Sequence, residues 1–244
     1  MTSLSTLQSR PESTHPVPVV AHLDSLPLPI RRALRSVFAQ LLAGERCALV
    51  AAQRATTLET DPTAQAFAAR QARDEARHVA FFERSLTQLG ATDLDADVSD
   101  LLGRASAPAD LPRLLVGINL VIETLGHSIF DAATTDLRRL AGTGLFSTRS
   151  TETLEALADS TERLQRDESQ HLAFGILRLR DERRRLDDRG RAELDDDVRA
   201  WHAELRRFFG SMTLVSALAG LHSFRPGEVL AHFEARARVV GVSL

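Results

Sequence analysis

The hexapeptide Arg73-Asp74-Glu75-Ala76-Arg77-His78 recurs 93 residues later as Arg166-Asp167-Glu168-Ser169-Gln170-His171, with four of six positions identical. On a helix, Glu and His three apart lie on one face, one turn apart, so both can reach one metal ion. Each copy sits inside an apolar stripe at helical spacing. The first stripe is Phe67, Glu75, His78, Phe82 and Leu86; the second is Leu157, Leu164, Glu168, His171 and Gly175. A Glu-x-x-His pair on a solvated face means little by itself. A carboxylate facing a core is costly unless it is paired or bound to metal.

The rest of the chain is helical in pattern. Ala, Leu, Arg and Glu dominate, Pro and Gly fall at breaks, and no segment alternates like a strand. Four long helices are expected, over about 28–58, 61–89, 110–141 and 150–186, with a polar linker around Pro108. The Ser150–Thr153 run is the expected cap of the fourth. Two more helices follow, over about 191–219 and from Pro226. Residues 1–27, rich in Ser, Thr and Pro, are expected to be a mobile arm. Residues 28–244 are then one all-α domain, with a core bundle over about 28–186 and accessory helices over about 191–241.

Helices 1 and 3 each carry one isolated acid. Glu45 is the only acid between Pro29 and Leu58, in the stripe Leu34, Phe38, Leu41, Leu49. Glu123 is the only acid between Leu111 and Phe130, with Val116, Leu120 and His127 at helical spacing. Glu45 and Glu75 are equidistant from residue 60, in the first turn. Glu123 and Glu168 are equidistant from the 145/146 junction, in the second. In an antiparallel hairpin, such residues end at one height, so each hairpin brings two carboxylates and one imidazole to one level. Pairing the hairpins places four Glu and two His at the centre of a four-helix bundle, an arrangement used by di-iron and di-manganese carboxylate proteins.

Composition removes other chemistries. All 30 basic residues are Arg, so neither a Schiff-base lysine nor a P-loop lysine exists. One cysteine, Cys47, excludes a cysteine-rich metal site and reads as a packed apolar residue. A net charge of −3 gives no electrostatic case for nucleic acid or an anionic membrane. No apolar run reaches the roughly 18–20 residues of a membrane span, and the N-terminus lacks a secretory pattern, so a cytoplasmic location is expected.

The motif set resembles the ferritin-like di-iron carboxylate superfamily over about residues 28–186. The paired Asp-Glu-x-x-His motifs are similar to its oxygen-activating branch. That branch includes multicomponent monooxygenase hydroxylases, the small subunit of class I ribonucleotide reductase, the ligand-binding oxidases related to that subunit, and p-aminobenzoate N-oxygenase. The resemblance implies Glu45, Glu75, His78, Glu123, Glu168 and His171 as metal ligands, with Glu75 and Glu168 bridging two ions. Asp74 and Asp167 match acids that hydrogen-bond the ligating imidazoles; the alternative is a pair of surface acids beside Arg73 and Arg166. His127 shares the face of Glu123 and is a further ligand, a proton carrier or a packed histidine.

Four carboxylates and two imidazoles suit iron, with manganese as an alternative. The resemblance implies an O2-dependent oxygenase or oxidase for a small organic substrate, in bacterial secondary metabolism. Expected pocket walls are Phe38, Leu41, Leu49, Phe82, Leu120, Phe130 and Phe174. The chain has no tyrosine, which argues against a tyrosyl-radical generator and against the tyrosine–valine cross-link of the ligand-binding oxidases. An external electron donor, a ferredoxin or flavin reductase, and a homodimer are also implied. The competing readings are a bacterioferritin-type ferroxidase and storage protein, and a non-enzymatic helical interaction module. The chain lacks the cysteines of a rubrerythrin-type peroxidase.

Overall fold

A computed structural model describes residues 17, 20–91, 98–211 and 221–244. Among them are seven helices and no strand. Helix α1 spans Leu28–Leu58, α2 Pro62–Gln88, α3 Ser99–Ala105, α4 Leu111–Ala141, α5 Thr148–Arg185, α6 Asp188–Gly210 and α7 Pro226–Val240. α1 pairs with α2 along its length, and α4 with α5, as two hairpins. The hairpins pack on each other through α1 against α4 and α2 against α5. α3 lies against α1 and α4, α6 follows α5, and α7 crosses α4, α5 and α6.

Local chemistry sets the helix starts. Asp61 accepts from the backbone N–H of Thr63 (2.8 Å) and Ala64 (3.1 Å), with Pro62 in the first turn. Asp110 accepts from Arg113 N–H (3.1 Å) and Asp187 from Gly190 N–H (2.7 Å). α5 begins earlier than its Ser150–Thr153 run suggested, because Ser147 is the residue whose hydroxyl accepts from Ser150 N–H (3.2 Å).

Four features differ from the sequence expectation. The stretch before Leu111 contains α3, whose Leu101, Leu102 and Ala105 are buried, with Val98 just before it. Val98, Leu101, Leu102 and Ala105 are the i, i+3, i+4, i+7 pattern in miniature. Inside α4, Val116–Ile122 is π-helical. Packing also begins before Leu28: Val17, Val20, Leu23 and Leu26 are buried. The expected fifth helix, to about 219, ends at Gly210, where Ser211 turns to extended backbone; most of the expected arm and residues 212–220 lie outside the described residues.

One 18-residue window of α4 has a mean hydropathy of 1.3, as apolar as a membrane span, but 78% of it is buried in the bundle. The apolarity reflects its place between α1, α3, α5 and α7. At the centre, Phe38, Phe81, Phe82 and Phe130 are at most 1% exposed and pack ring against ring.

Candidate metal centre

The two hairpins bring Glu45 from α1, Glu75 and His78 from α2, Glu123 from α4, and Glu168 and His171 from α5 to one level of the interior. All six are at most 5% exposed. Their ligand atoms fall into two overlapping sets, Glu45/Glu75/His78/Glu168 and Glu75/Glu123/Glu168/His171, each within a span of 4.8 Å. Glu75 and Glu168 belong to both. The two imidazole centroids are 6.3 Å apart.

Both imidazoles turn Nδ1 inward. Nδ1 of His78 lies 3.1 Å from Glu45 Oε2, 3.2 Å from Glu75 Oε2 and 3.1 Å from Glu168 Oε1. Nδ1 of His171 lies 3.0 Å from Glu75 Oε1, 3.7 Å from Glu168 Oε2 and 3.9 Å from Glu123 Oε2. The outward Nε2 atoms are held across the bundle. His78 Nε2 faces Asp167 Oδ2 at 3.4 Å, and His171 Nε2 faces Asp74 Oδ2 at 3.2 Å. Each motif's aspartate therefore serves the other motif's histidine. An imidazole that donates its Nε2 proton to Asp keeps the Nδ1 lone pair free and aimed at the carboxylates. The cation beside the two acids is Arg77, 2.7 Å from Asp74 Oδ1 and 3.7 Å from Asp167 Oδ2.

Several buried lone pairs have nothing to accept from. Both oxygens of Glu75, Oε2 of Glu123 and Nδ1 of His171 lack a hydrogen-bond partner. A buried carboxylate left so costs several kcal/mol. Cations of high charge, not protein donors, complete such a set. The donors, four carboxylates and two imidazoles, fit two iron or manganese ions.

Protonation compensates in the metal-free protein. Burial raises Glu45 and Glu123 well above the ordinary 4.5, and the neighbouring carboxylates add to the rise at both. Burial alone would lower His78 and His171, but Glu45 beside the first and Glu75 beside the second, with hydrogen bonds to nearby acids, hold both well above 6.5. Burial also opposes ionisation of Glu168, yet the close approach of Glu123, His171 and His78 pulls it well below the usual range. Against burial and the charge of Glu168, His171 holds Glu75 low.

His127 belongs to neither ligand set. It is half-buried, its Nδ1 has no hydrogen-bond partner, and burial together with the charge of Arg236 holds it below 6.5. Sequence reasoning missed Gln71, which donates from Nε2 to Glu123 Oε1 at 2.6 Å. Its signal was present: Gln71 is a polar residue one turn before Glu75 on the same stripe. A narrow cavity of about 20 Å³ touches Glu45, Glu123 and Glu168, and is lined by Leu41, Leu102 and Ile122. Of the pocket walls expected from sequence, Leu41 lines it; Phe38 lines a different cavity, and Phe174 stacks on Phe67 at 3.7 Å.

Comparison with solved structures places this architecture. Variants of an R2-like ligand-binding oxidase with a reconstituted Mn/Fe cofactor superpose on it. One, reconstituted anaerobically, has a TM-score of 0.64 at 17% identity, covering 98% of this chain and 91% of its own. Another, reconstituted aerobically, has a TM-score of 0.62 at 18% identity, covering 90% and 83%. The chain has the ferritin-like fold. No protein-family model matches the chain, and no curated protein matches it in sequence. Within the ferritin-like bundle, the buried cluster lies on the facing sides of all four core helices, where the two hairpins meet.

Proposed function

We propose that this protein is an O2-dependent oxidoreductase that holds two redox metal ions, iron with iron or iron with manganese. It oxidises a small organic substrate by hydroxylation, N-oxygenation, desaturation or C–C cleavage. The carrying observation is the pair of four-residue ligand sets that share Glu75 and Glu168 amid orphaned buried lone pairs.

In this reading Glu45 and His78 would hold one ion and Glu123 and His171 the other, with Glu75 and Glu168, which belong to both sets, available to either. When bound, two such ions supply two electrons to O2. The protein's own part is positional and electrostatic. Asp167 and Asp74 hold the imidazole protons at Nε2 and fix both rings. Gln71 occupies Oε1 of Glu123 and leaves Oε2 toward the cluster. The aliphatic walls of Leu41, Leu102 and Ile122 exclude bulk water from the carboxylates, and their cavity of about 20 Å³ admits a molecule the size of water or O2. With no tyrosine in the chain, oxidising equivalents cannot be parked on a phenol and are available to a bound molecule. Electrons for further turnovers come from an external donor, a ferredoxin or flavin reductase, and the working unit is a homodimer in the cytoplasm.

Anaerobic loading with Fe(II), metal analysis and rapid mixing with O2 test the proposal. We expect about two ions per chain and an optical transient whose decay organic substrates accelerate. A chain that folds but keeps no transition metal contradicts it. Iron far above two per chain in a many-subunit cage assigns the protein to storage instead.

A further inference from the structure

Two cavities lie along one seam of the bundle, between α1 and α4. The inner one is the narrow space at Glu45 and Glu123. The outer one is near the start of α1 and the end of α4, and its volume is about 240 Å³. Ile30, Leu34 and Val37 of α1 face Leu137 and Leu140 of α4 across it. The polar side chains on its boundary are Asp136, Arg139 and His222. Asp136 is already engaged: it accepts from Ser223 N–H (2.9 Å), Ser223 O–H (2.6 Å) and Arg139 Nη1 (3.1 Å). No charge is left aimed into this space by Asp136. Protein interiors are close-packed, and a void costs stability in proportion to its size. Apolar cavities smaller than this one stay dry and take up apolar molecules.

Only a short partition separates the two cavities. Val37 lines the outer one and Leu41 the inner one, four residues or about 6 Å apart along α1. Phe38 is the outer cavity's lining residue nearest to Leu41 along α1. It is fully buried, lines the outer cavity, and meets Phe82 edge-on at 5.3 Å. Phe82 is one turn beyond His78 and stacks on Phe130 at 6.0 Å. Any molecule seated in the outer cavity therefore has its inner end against the aromatic group adjoining the metal-ligating level.

We propose that the outer α1/α4 cavity binds an uncharged, largely apolar organic molecule of about ten non-hydrogen atoms, and that Phe38 sets how far toward the carboxylates it reaches. That this molecule is the substrate rests on the function proposed above; that the cavity binds it does not. Phe38 is then a specificity-determining residue, selecting by length.

The test is a fluorescence titration of the full chain with the uncharged probe 1-aminonaphthalene, which is close to the proposed size, metal-free and metal-loaded, followed by displacement with a series of n-alkanols and the matching n-alkanoates. We expect saturable binding of about one probe per chain, displaced better by alkanols than by alkanoates. Ala33→Phe, at the half-exposed mouth, is expected to weaken binding at least about tenfold while metal content is unchanged. Phe38→Leu is expected to shift the preferred alkanol to longer chains. Absence of saturable binding, preference for alkanoates, or binding unaffected by Ala33→Phe overturns the proposal. Probe binding in a chain that takes up no metal supports the cavity and removes the oxidoreductase reading. Metal uptake without probe binding does the reverse.

Discussion

The six central side chains hold different protons with and without metal. In the metal-free protein Glu45, Glu123, His78 and His171 are all held above their ordinary values, which favours the protonated form of each. Metal binding favours the deprotonated forms and so releases protons. A group whose folded value is raised stabilises the fold below its unfolded value and loses that contribution as pH rises through the folded one. The metal-free protein should therefore lose stability as pH rises, through Glu45 and Glu123 from about 4.5 upward and through His78 and His171 from about 6.5 upward, the ordinary values of the two side chains. Glu75 and Glu168, held low, contribute the opposite slope only below about 4.5. The gain in Tm on metal loading should grow between roughly pH 5.5 and 8, measured by scanning calorimetry with and without Fe(II). A gain independent of pH contradicts this protonation scheme. Asp167→Asn and Asp74→Asn are each expected to weaken metal binding about 10- to 100-fold in anaerobic titrations, without unfolding the chain. Away from the metal level, Arg178 is 3% exposed and forms a two-point pair with Glu59, at 2.9 and 2.6 Å, and also bonds Glu182. Glu59→Ala leaves a buried guanidinium half-paired and should cost about 3–5 kcal/mol in denaturant unfolding. A loss below about 1 kcal/mol would show that Glu182 and water suffice. That these six residues cluster was legible because acids are rare on α1 and α4 and because their spacing about the turns is symmetric. The crossed pairing of Asp74 with His171 was not, since it depends on how α2 and α5 face each other.

At the scale of elements, the π-helical stretch Val116–Ile122 runs directly into Glu123 and carries the chain's single asparagine. Asn119 is buried and donates to Leu115 O at 3.0 Å, and Thr124 Oγ1 donates to Asn119 O at 3.2 Å. A Cβ on Gly175 of α5 would stand 1.6 Å from Asn119 Oδ1. The glycine is thus the space that lets the widened turn lie against α5. Gly175→Ala should destabilise by about 1–3 kcal/mol through overpacking. Asn119→Ala in the same chain should recover most of that loss, which a double-mutant cycle on unfolding midpoints will read. Additive losses would mean the two residues are not coupled. The same α4 approaches the end of α3 closely, where a Cβ on Gly117 would lie 1.8 Å from Ala105 O. The long helices and their turns followed from periodicity, Pro62, Gly90 and Gly144. The π-helical turn and α3 did not, because an extra residue per turn leaves no mark in a run apolar but for Asn119 and seven residues are too few for a clear period.

For the whole molecule, the bundle works because two hairpins are nearly symmetric about their turns, so the costly groups meet at one depth. α6 and α7 add cover to α5 and α4 outside that bundle. The seam between α1 and α4 remains loosely filled at both the inner and outer cavity. The fold could be inferred from sequence because the hairpin register follows from residue counting; the cavities could not, because empty space depends on which side chains meet, and no residue type announces it. The most direct measurement is an anomalous diffraction map of the anaerobically loaded crystal, at the iron and manganese edges. We predict two peaks about 3.5–4 Å apart, one within reach of Glu45 and His78, the other of Glu123 and His171, both touching Glu75 and Glu168. A single peak, or metal bound only at the surface with those six side chains still paired among themselves, would contradict a shared two-metal centre.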